Sequence, residues 1–153
     1  DRSLDEAMTI ENGDATLVVD HTVPHCQSRE IFRAVVDDRA HSVFQGKIIV
    51  QPDAQKTDGK MMTRALLLSD GAEADNKPEL EIFADDVTCG HGATVGALDE
   101  SLLFYLRARG LSEKEAQALL IQAFVGEAIE SIANDRLREL AISAAERWLA
   151  ARG

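Results

Sequence analysis

The chain changes character near residue 93, and that change constrains the fold more than any single motif does. All three prolines (Pro24, Pro52, Pro78) precede it, and 13 alanines crowd into the 61 residues from 93 onward. Before it, short apolar or β-branched runs recur at residues 16–19, 31–36, 43–44, 48–50, 61–68 and 80–83. Asn12-Gly13-Asp14, Gln51-Pro52-Asp53, Asp58-Gly59 and Asp70-Gly71-Ala72 punctuate these runs. Glycine reaches positive φ freely, and Pro and Asp favour turn starts. Short strands divided by turns indicate an all-β unit. Thr57-Asp58-Gly59-Lys60 suits a hairpin loop or a corner in a stacked coil of strands. Periodicity leaves sandwich, barrel and β-helix open, and no sharp internal repeat decides between them.

After the change the spacing is helical. Asp99 is placed to cap a helix over 100–109, and Gly110 to end it. Leu102, Leu103, Tyr105 and Leu106 give that helix an apolar face. Ser112-Glu113-Lys114-Glu115 has the form of a capping box. Leu120, Phe124, Ala128 and Ile132 then recur at helical spacing, with Leu119 and Val125 beside them. Asn134-Asp135 breaks this helix and caps another over 136–151, where Leu137, Leu140, Ala141, Ala144 and Trp148 share a stripe. These stripes read as core packing, with a partner-binding face as the lesser reading. The expected division is a strand-rich part over 1–96 and a helical part over 97–153.

Charge narrows the function classes. The formal net charge is -11, from 27 acidic against 16 basic residues. Residues 1–92 hold 18 of the acids and 9 of the bases, so most of the excess belongs to the strand-rich part. A nucleic acid or an anionic membrane needs a basic surface, so neither is expected as partner. Two cysteines, Cys26 and Cys89, build no disulfide framework and read as reduced thiols, which points to the cytoplasm. No apolar run approaches the length that spans a bilayer, and no secretory signal opens the sequence. It begins at Asp1, not Met, which fits a processed chain or a fragment.

Familiar catalytic motifs are missing: no Gly-x-Ser-x-Gly, no His-Glu-x-x-His, no phosphate-binding loop. The glycines of Gly90-His91-Gly92-Ala93-Thr94-Val95-Gly96 do not fit the dinucleotide pattern. Chemistry concentrates in Asp85-Asp86-Val87-Thr88-Cys89-Gly90-His91-Gly92. On a strand, Cys89 and His91 point to one face. A thiolate beside an imidazole suits iron or zinc, although two ligands do not complete a site. The plainer reading is a buried thiol beside a hydrogen-bonded histidine at the strand-to-helix junction. His21-Thr22-Val23-Pro24-His25-Cys26 offers two more imidazoles and a thiol, but His25 and Cys26 are adjacent and Pro24 disturbs regular geometry. A structural role is favoured there. His41 is isolated, and Asp37-Asp38 and Asp85-Asp86 read as solvated turn residues.

Longer stretches carry a resemblance. His21-Thr22-x-x-His25, Ser42-Val43-Phe44-Gln45-Gly46-Lys47-Ile48 and Gln55-Lys56-Thr57-Asp58 resemble the SufB/SufD family of iron–sulfur cluster assembly scaffolds. So do Leu80-Glu81-Ile82-Phe83-Ala84-Asp85-Asp86-Val87-x-Cys89-x-His91-Gly92-Ala93-Thr94-Val95-Gly96 and Phe104-Tyr105-Leu106-Arg107-x-Arg109-Gly110. The likeness runs from about Thr16 to the C-terminus, and Cys89-x-His91-Gly92-Ala93-Thr94 is nearer the SufD branch than the SufB branch.

The resemblance implies the later coils of a right-handed parallel β-helix followed by a small C-terminal helical domain. It implies a non-enzymatic scaffold that pairs with SufB and docks the SufC ATPase. A transient iron–sulfur cluster would form at the SufB–SufD interface, with none expected in the lone chain. His91 matches the residue implicated in that site, and Cys89 is its neighbour. A reduced flavin is associated with such complexes, but no residue here carries it over. Family members are considerably longer, with more β-helix before this segment. A cut through a β-helix exposes an apolar cross-section, so a fragment is expected to hide the cut end by self-association or local rearrangement. Two other readings stay open. One is a stand-alone metal-binding or hydrolytic domain using His21, His25, Cys26, Cys89 and His91. The other is a purely structural adaptor.

Overall fold

A computed structural model describes residues 12–152. The first eleven residues of the strand-rich part lie outside it. Six ten-residue strands come first: β1 Asn12–His21, β2 Gln27–Val36, β3 His41–Val50, β4 Asp58–Leu67, β5 Glu73–Ile82 and β6 Thr88–Ala97. Three helices follow: α1 Glu100–Ala108, α2 Glu113–Ile129 and α3 Asp135–Ala151.

The strands form two three-stranded sheets, β1-β3-β5 and β2-β4-β6. Every pairing is parallel. Parallel neighbours need a crossover, and here each crossover is a strand of the other sheet. The chain therefore alternates between sheets, stacking His41 on Asn12 and Glu73 on His41 in one, Asp58 on Gln27 and Thr88 on Asp58 in the other. Each repeat is about thirty residues. Thr57-Asp58-Gly59-Lys60 is thus no hairpin loop: Thr57 ends a coil corner and Asp58-Gly59-Lys60 already opens β4. A structural repeat exists where no sequence repeat is legible, because the stacking needs only alternation and corner geometry.

Three corners carry residues with left-handed φ: His25 at 62°, Asp38 at 54° and Lys56 at 65°. Asn, Asp and His tolerate that region better than most residues. The corners also stack by hydrogen bonds: the His25 amide donates to the Gln55 carbonyl (2.9 Å), and the Lys56 amide to the Asp86 carbonyl (2.6 Å).

The core fills the space between the sheets. Phe44, Ile48, Val50, Ala54, Met61 and Ala84 form it, with Val19, Phe32, Leu80 and Cys89 against its margin. Phe32 and Phe44 stack at 4.1 Å between ring centroids. Gly46 faces this core, where a Cβ would run into Met61 and Phe44, so the close approach demands glycine.

Several local expectations need correction. Residues 43–44 and 48–50 belong to one strand, β3. Asn12-Gly13-Asp14 opens β1 rather than turning. The glycine-rich stretch is strand β6. The helix signals were better. Asp99 accepts from the Ser101 and Leu102 amides (2.8 and 3.1 Å), Ser112 and Glu115 complete a capping box, and Asn134 accepts from the Leu137 amide (3.0 Å). The expected packing of the helical stripes is overturned for α1 and α3, which bury no residue. Leu137 and Leu140 are 57% and 59% exposed, and Phe104 is 74% exposed. Only α2 is inserted, through Ala116 and Ile121. It docks on β2, where Arg33 pairs with Glu127 (2.9 Å) and lies over the Phe124 ring.

Candidate functional site

Among the described residues β6 is bonded to β4 alone, which leaves its other edge without a strand neighbour there. Cys89 and His91 lie on this edge strand, opposite Gly59 and Met61 of β4. They differ in setting. Cys89 packs half-buried against the core margin, with its thiol 4.0 Å from the Thr57 carbonyl oxygen. His91 is exposed.

Both line a shallow groove of about 490 Å³ along the β2-β4-β6 sheet, with Met61, Met62, Arg29 and Lys60 also on its wall. The wall is largely apolar, with two cations at its margin. Asp58 pairs with both: Arg29 Nη2 lies 2.5 Å from Asp58 Oδ2 and Lys60 Nζ 3.7 Å from Oδ1, and the Arg29 hydrogen bond chiefly holds the Asp58 carboxyl below the usual carboxylate range. The groove therefore offers a thiol, an imidazole and thioethers, donor types suited to soft or borderline metals.

Glu30 was not anticipated from sequence. It lines the same groove, stands in register with Met61 and through it with His91, and its Oε2 is buried without a hydrogen-bond partner. No signal in a lone acid at position 30 marks it, because the neighbourhood is cross-strand. Ser28, Gly59 and Cys89 form the rung two residues away, beyond Arg29, Lys60 and Gly90. Here the buried His21, from the end of β1, joins the group: its Nε2 is 2.9 Å from Ser28 Oγ. A Cβ built on Gly59 would lie 3.6 Å from both His21 Nε2 and Cys89 Sγ.

The structure does not gather the other candidates. His25 and Cys26 sit at the corner after β1, where the Cys26 thiol donates to the Val23 carbonyl (3.1 Å). His41 starts β3 and pairs with Asp75 (2.8 Å). Among the described residues, no group of three or more His, Cys, Asp or Glu is arranged to hold a metal ion. That weighs against a stand-alone metal centre built from His21, His25, Cys26, Cys89 and His91. No described helix is long and apolar enough to cross a membrane.

A two-sheet stack of parallel strands leading into a helical tail, with a thiol and an imidazole on a strand bonded to one neighbour among the described residues, defines a stacked-coil β protein with a helical appendage. The family model for the SUF system FeS cluster assembly, SufBD core domain, matches residues 7–124. The chain belongs to that family. It is 42% identical over 135 residues to the iron–sulfur cluster assembly protein SufD of Escherichia coli, covering 87% of this chain and 32% of that protein. It is 41% identical over 123 residues to a SufBD family protein of Synechocystis, covering 80% of this chain and 27% of that one. It is 40% identical over 129 residues to a chloroplastic protein of Arabidopsis thaliana, covering 82% and 26%. The chain thus spans about a third or less of the length of these relatives.

Proposed function

We propose that this chain is the later β-helix and helical tail of a SufD-type scaffold subunit in iron–sulfur cluster assembly. In this reading the two-sheet coil winds right-handed, β6 meets the β-helix of SufB, and the helical tail docks the SufC ATPase in the cytoplasm. The protein performs no covalent catalysis and keeps no resident cofactor. The nascent cluster is its cargo, held at the SufB–SufD interface by ligands from both chains.

One observation carries the reading. His91 stands exposed beside the half-buried Cys89 on a strand whose outer edge has no strand neighbour among the described residues. A two-ligand set on an edge strand is completed by a partner more readily than by its own chain. In its neutral form His91 offers an imidazole nitrogen to iron. Cys89, one step deeper, assists as a thiolate or fixes the strand against the core. The relatives named for cluster assembly match over this segment, which supports carrying the role over.

Replacing His91 with Ala in the full-length protein, assembled with SufB and SufC, tests it. Iron and sulfide retained on the complex should fall by about tenfold or more, as for loss of a metal ligand. An undiminished cluster yield sinks the assignment. The adaptor reading has its own support in the exposed helical stripes: it expects C89S and H91A together to leave cluster yield intact whenever the complex assembles.

A further inference from the structure

Half of the outer face of the β2-β4-β6 sheet already seats a helix, and its chemistry shows what the open half fits. Side chains alternate across a strand. The outward positions of β2 and β4 form two basic rungs, Arg29 with Lys60 and Arg33 with Arg64, and an apolar rung of Ile31 and Met62 between them. In a chain of net charge -11 this face is an exception, because Asp58 is the one carboxylate among the outward positions of its three strands. Helix α2 covers the rung of Arg33 and Arg64 with two side chains one turn apart. The Arg33 guanidinium lies 5.5 Å from the centre of the Phe124 ring, and Glu127 Oε2 takes Arg33 at 2.9 Å and Arg64 at 3.5 Å. An aromatic side chain and a carboxylate at i and i+3 thus hold a helix on a basic rung.

The other two rungs carry the same elements and stand open. Ile31 and Met62 are 43% and 38% exposed on the groove wall. Met62 leans over Gly92, and at Gly90 an added Cβ would meet nothing within 4 Å, so the outer side of β6 is bare there. Arg29 and Lys60 share the Asp58 carboxylate and stay about half exposed, which leaves positive charge in excess at this end. Two residues along a strand span about 6.6 Å, close to the roughly 5.4 Å of one helical turn. We infer that this open half docks a helix of an acidic partner protein. The helix sets an apolar side chain against Ile31 and Met62 and, one turn away, a carboxylate on Arg29 and Lys60. This contact covers the face of the sheet, whereas strand pairing would extend the edge of β6, so it does not rest on the cluster reading.

The α2 segment supplies the probe, as a blocked, fluorescein-labelled peptide of residues 113–130, because it carries both the required pair and a capping box. Titrated with the full chain, it should bind saturably by fluorescence anisotropy. Arg29→Gln with Lys60→Gln, and separately Met62→Glu, should each weaken binding by about tenfold or more. Phe124→Ala or Glu127→Gln in the peptide alone should do the same. Arg64→Ala, on the rung that the chain's own α2 covers, should stay within about twofold. No saturable binding, or wild-type affinity in both groove variants, would overturn the inference. So would an R64A loss as large as theirs, since the peptide would then be displacing α2. Self-association of the free chain that M62E abolishes would assign the groove to a second copy and overturn it equally. Thermal melting shows that each variant is folded, and if R29Q/K60Q melts early, M62E alone decides. Cluster yield enters none of these readouts, so this inference and the His91 reading fail separately.

Discussion

Glu30 shows what a single residue contributes to this groove. Its Oε2 is buried without a hydrogen-bond partner, two rungs from Cys89 and in line with His91. An unsatisfied buried polar group costs about 1–3 kcal/mol. Such groups are retained where something other than stability needs them. Glu30→Met keeps the stem and removes the unpaired oxygen, so it should raise the unfolding free energy by about 1 kcal/mol. Urea unfolding of the two chains measures this, and a destabilised variant would mean that the carboxylate has a partner in solution. The residues of the site were unevenly legible. Cys89 and His91 could be placed together because they are two apart on one strand. Glu30, Ser28 and Gly59 are gathered by parallel register, and His21 crosses from the other sheet, relations that no local pattern in the chain records.

At the scale of elements, the same divide recurs. Helix starts were legible because a cap is a contact between residues two or three apart, as Ser112 with Glu115 and Asn134 with Leu137. Strands were less so. β6 is Thr88–Ala97 with three glycines inside it and no clear alternation, and what makes it a strand is β4 beside it. α3 has no buried residue, so its attachment rests on few contacts. One is Arg152, just past the helix end, paired with Asp37 at the corner after β2. Burial pushes the Asp37 carboxyl up, but the Arg152 hydrogen bond and charge, with the Asp38 amide and Ser69 hydroxyl, outweigh it and hold the group below its usual range. A carboxyl depressed in the folded state stabilises above its unfolded pKa of about 4 and loses that contribution as pH falls through the folded value. Arg152→Ala should therefore cost no more than about 1 kcal/mol near neutrality, since the pair is partly exposed. The difference from the parent chain should shrink below about pH 4. Unfolding curves at several pH values check it, and a difference that grows on acidification would contradict the pairing.

Across the whole molecule, burial is lopsided. The middle coil, β3 and β4, holds most of the core, while the shorter helical tail exposes as many large apolar side chains as the whole strand-rich part. Leu137, Leu140 and Trp148 share the open stripe of α3, and Leu102, Phe104 and Tyr105 lie exposed on α1. Exposed apolar stripes on a helix are commonly surfaces that something else covers. The helical periodicity was visible from the sequence, but periodicity is the same whether the partner face is the chain's own core or another protein, so it misassigned the stripe to internal packing. The two possibilities separate by mutation. Leu137→Asp with Leu140→Asp changes residues that bury little here, so the unfolding free energy should move by no more than about 0.5 kcal/mol. If the tail docks the ATPase as proposed, the same pair should abolish co-purification with SufC while leaving the SufB contact of β6 in place, because the helices and that edge are different surfaces. A large loss of stability would instead return the stripe to the chain's own core, and unchanged SufC binding would place the ATPase elsewhere on the molecule.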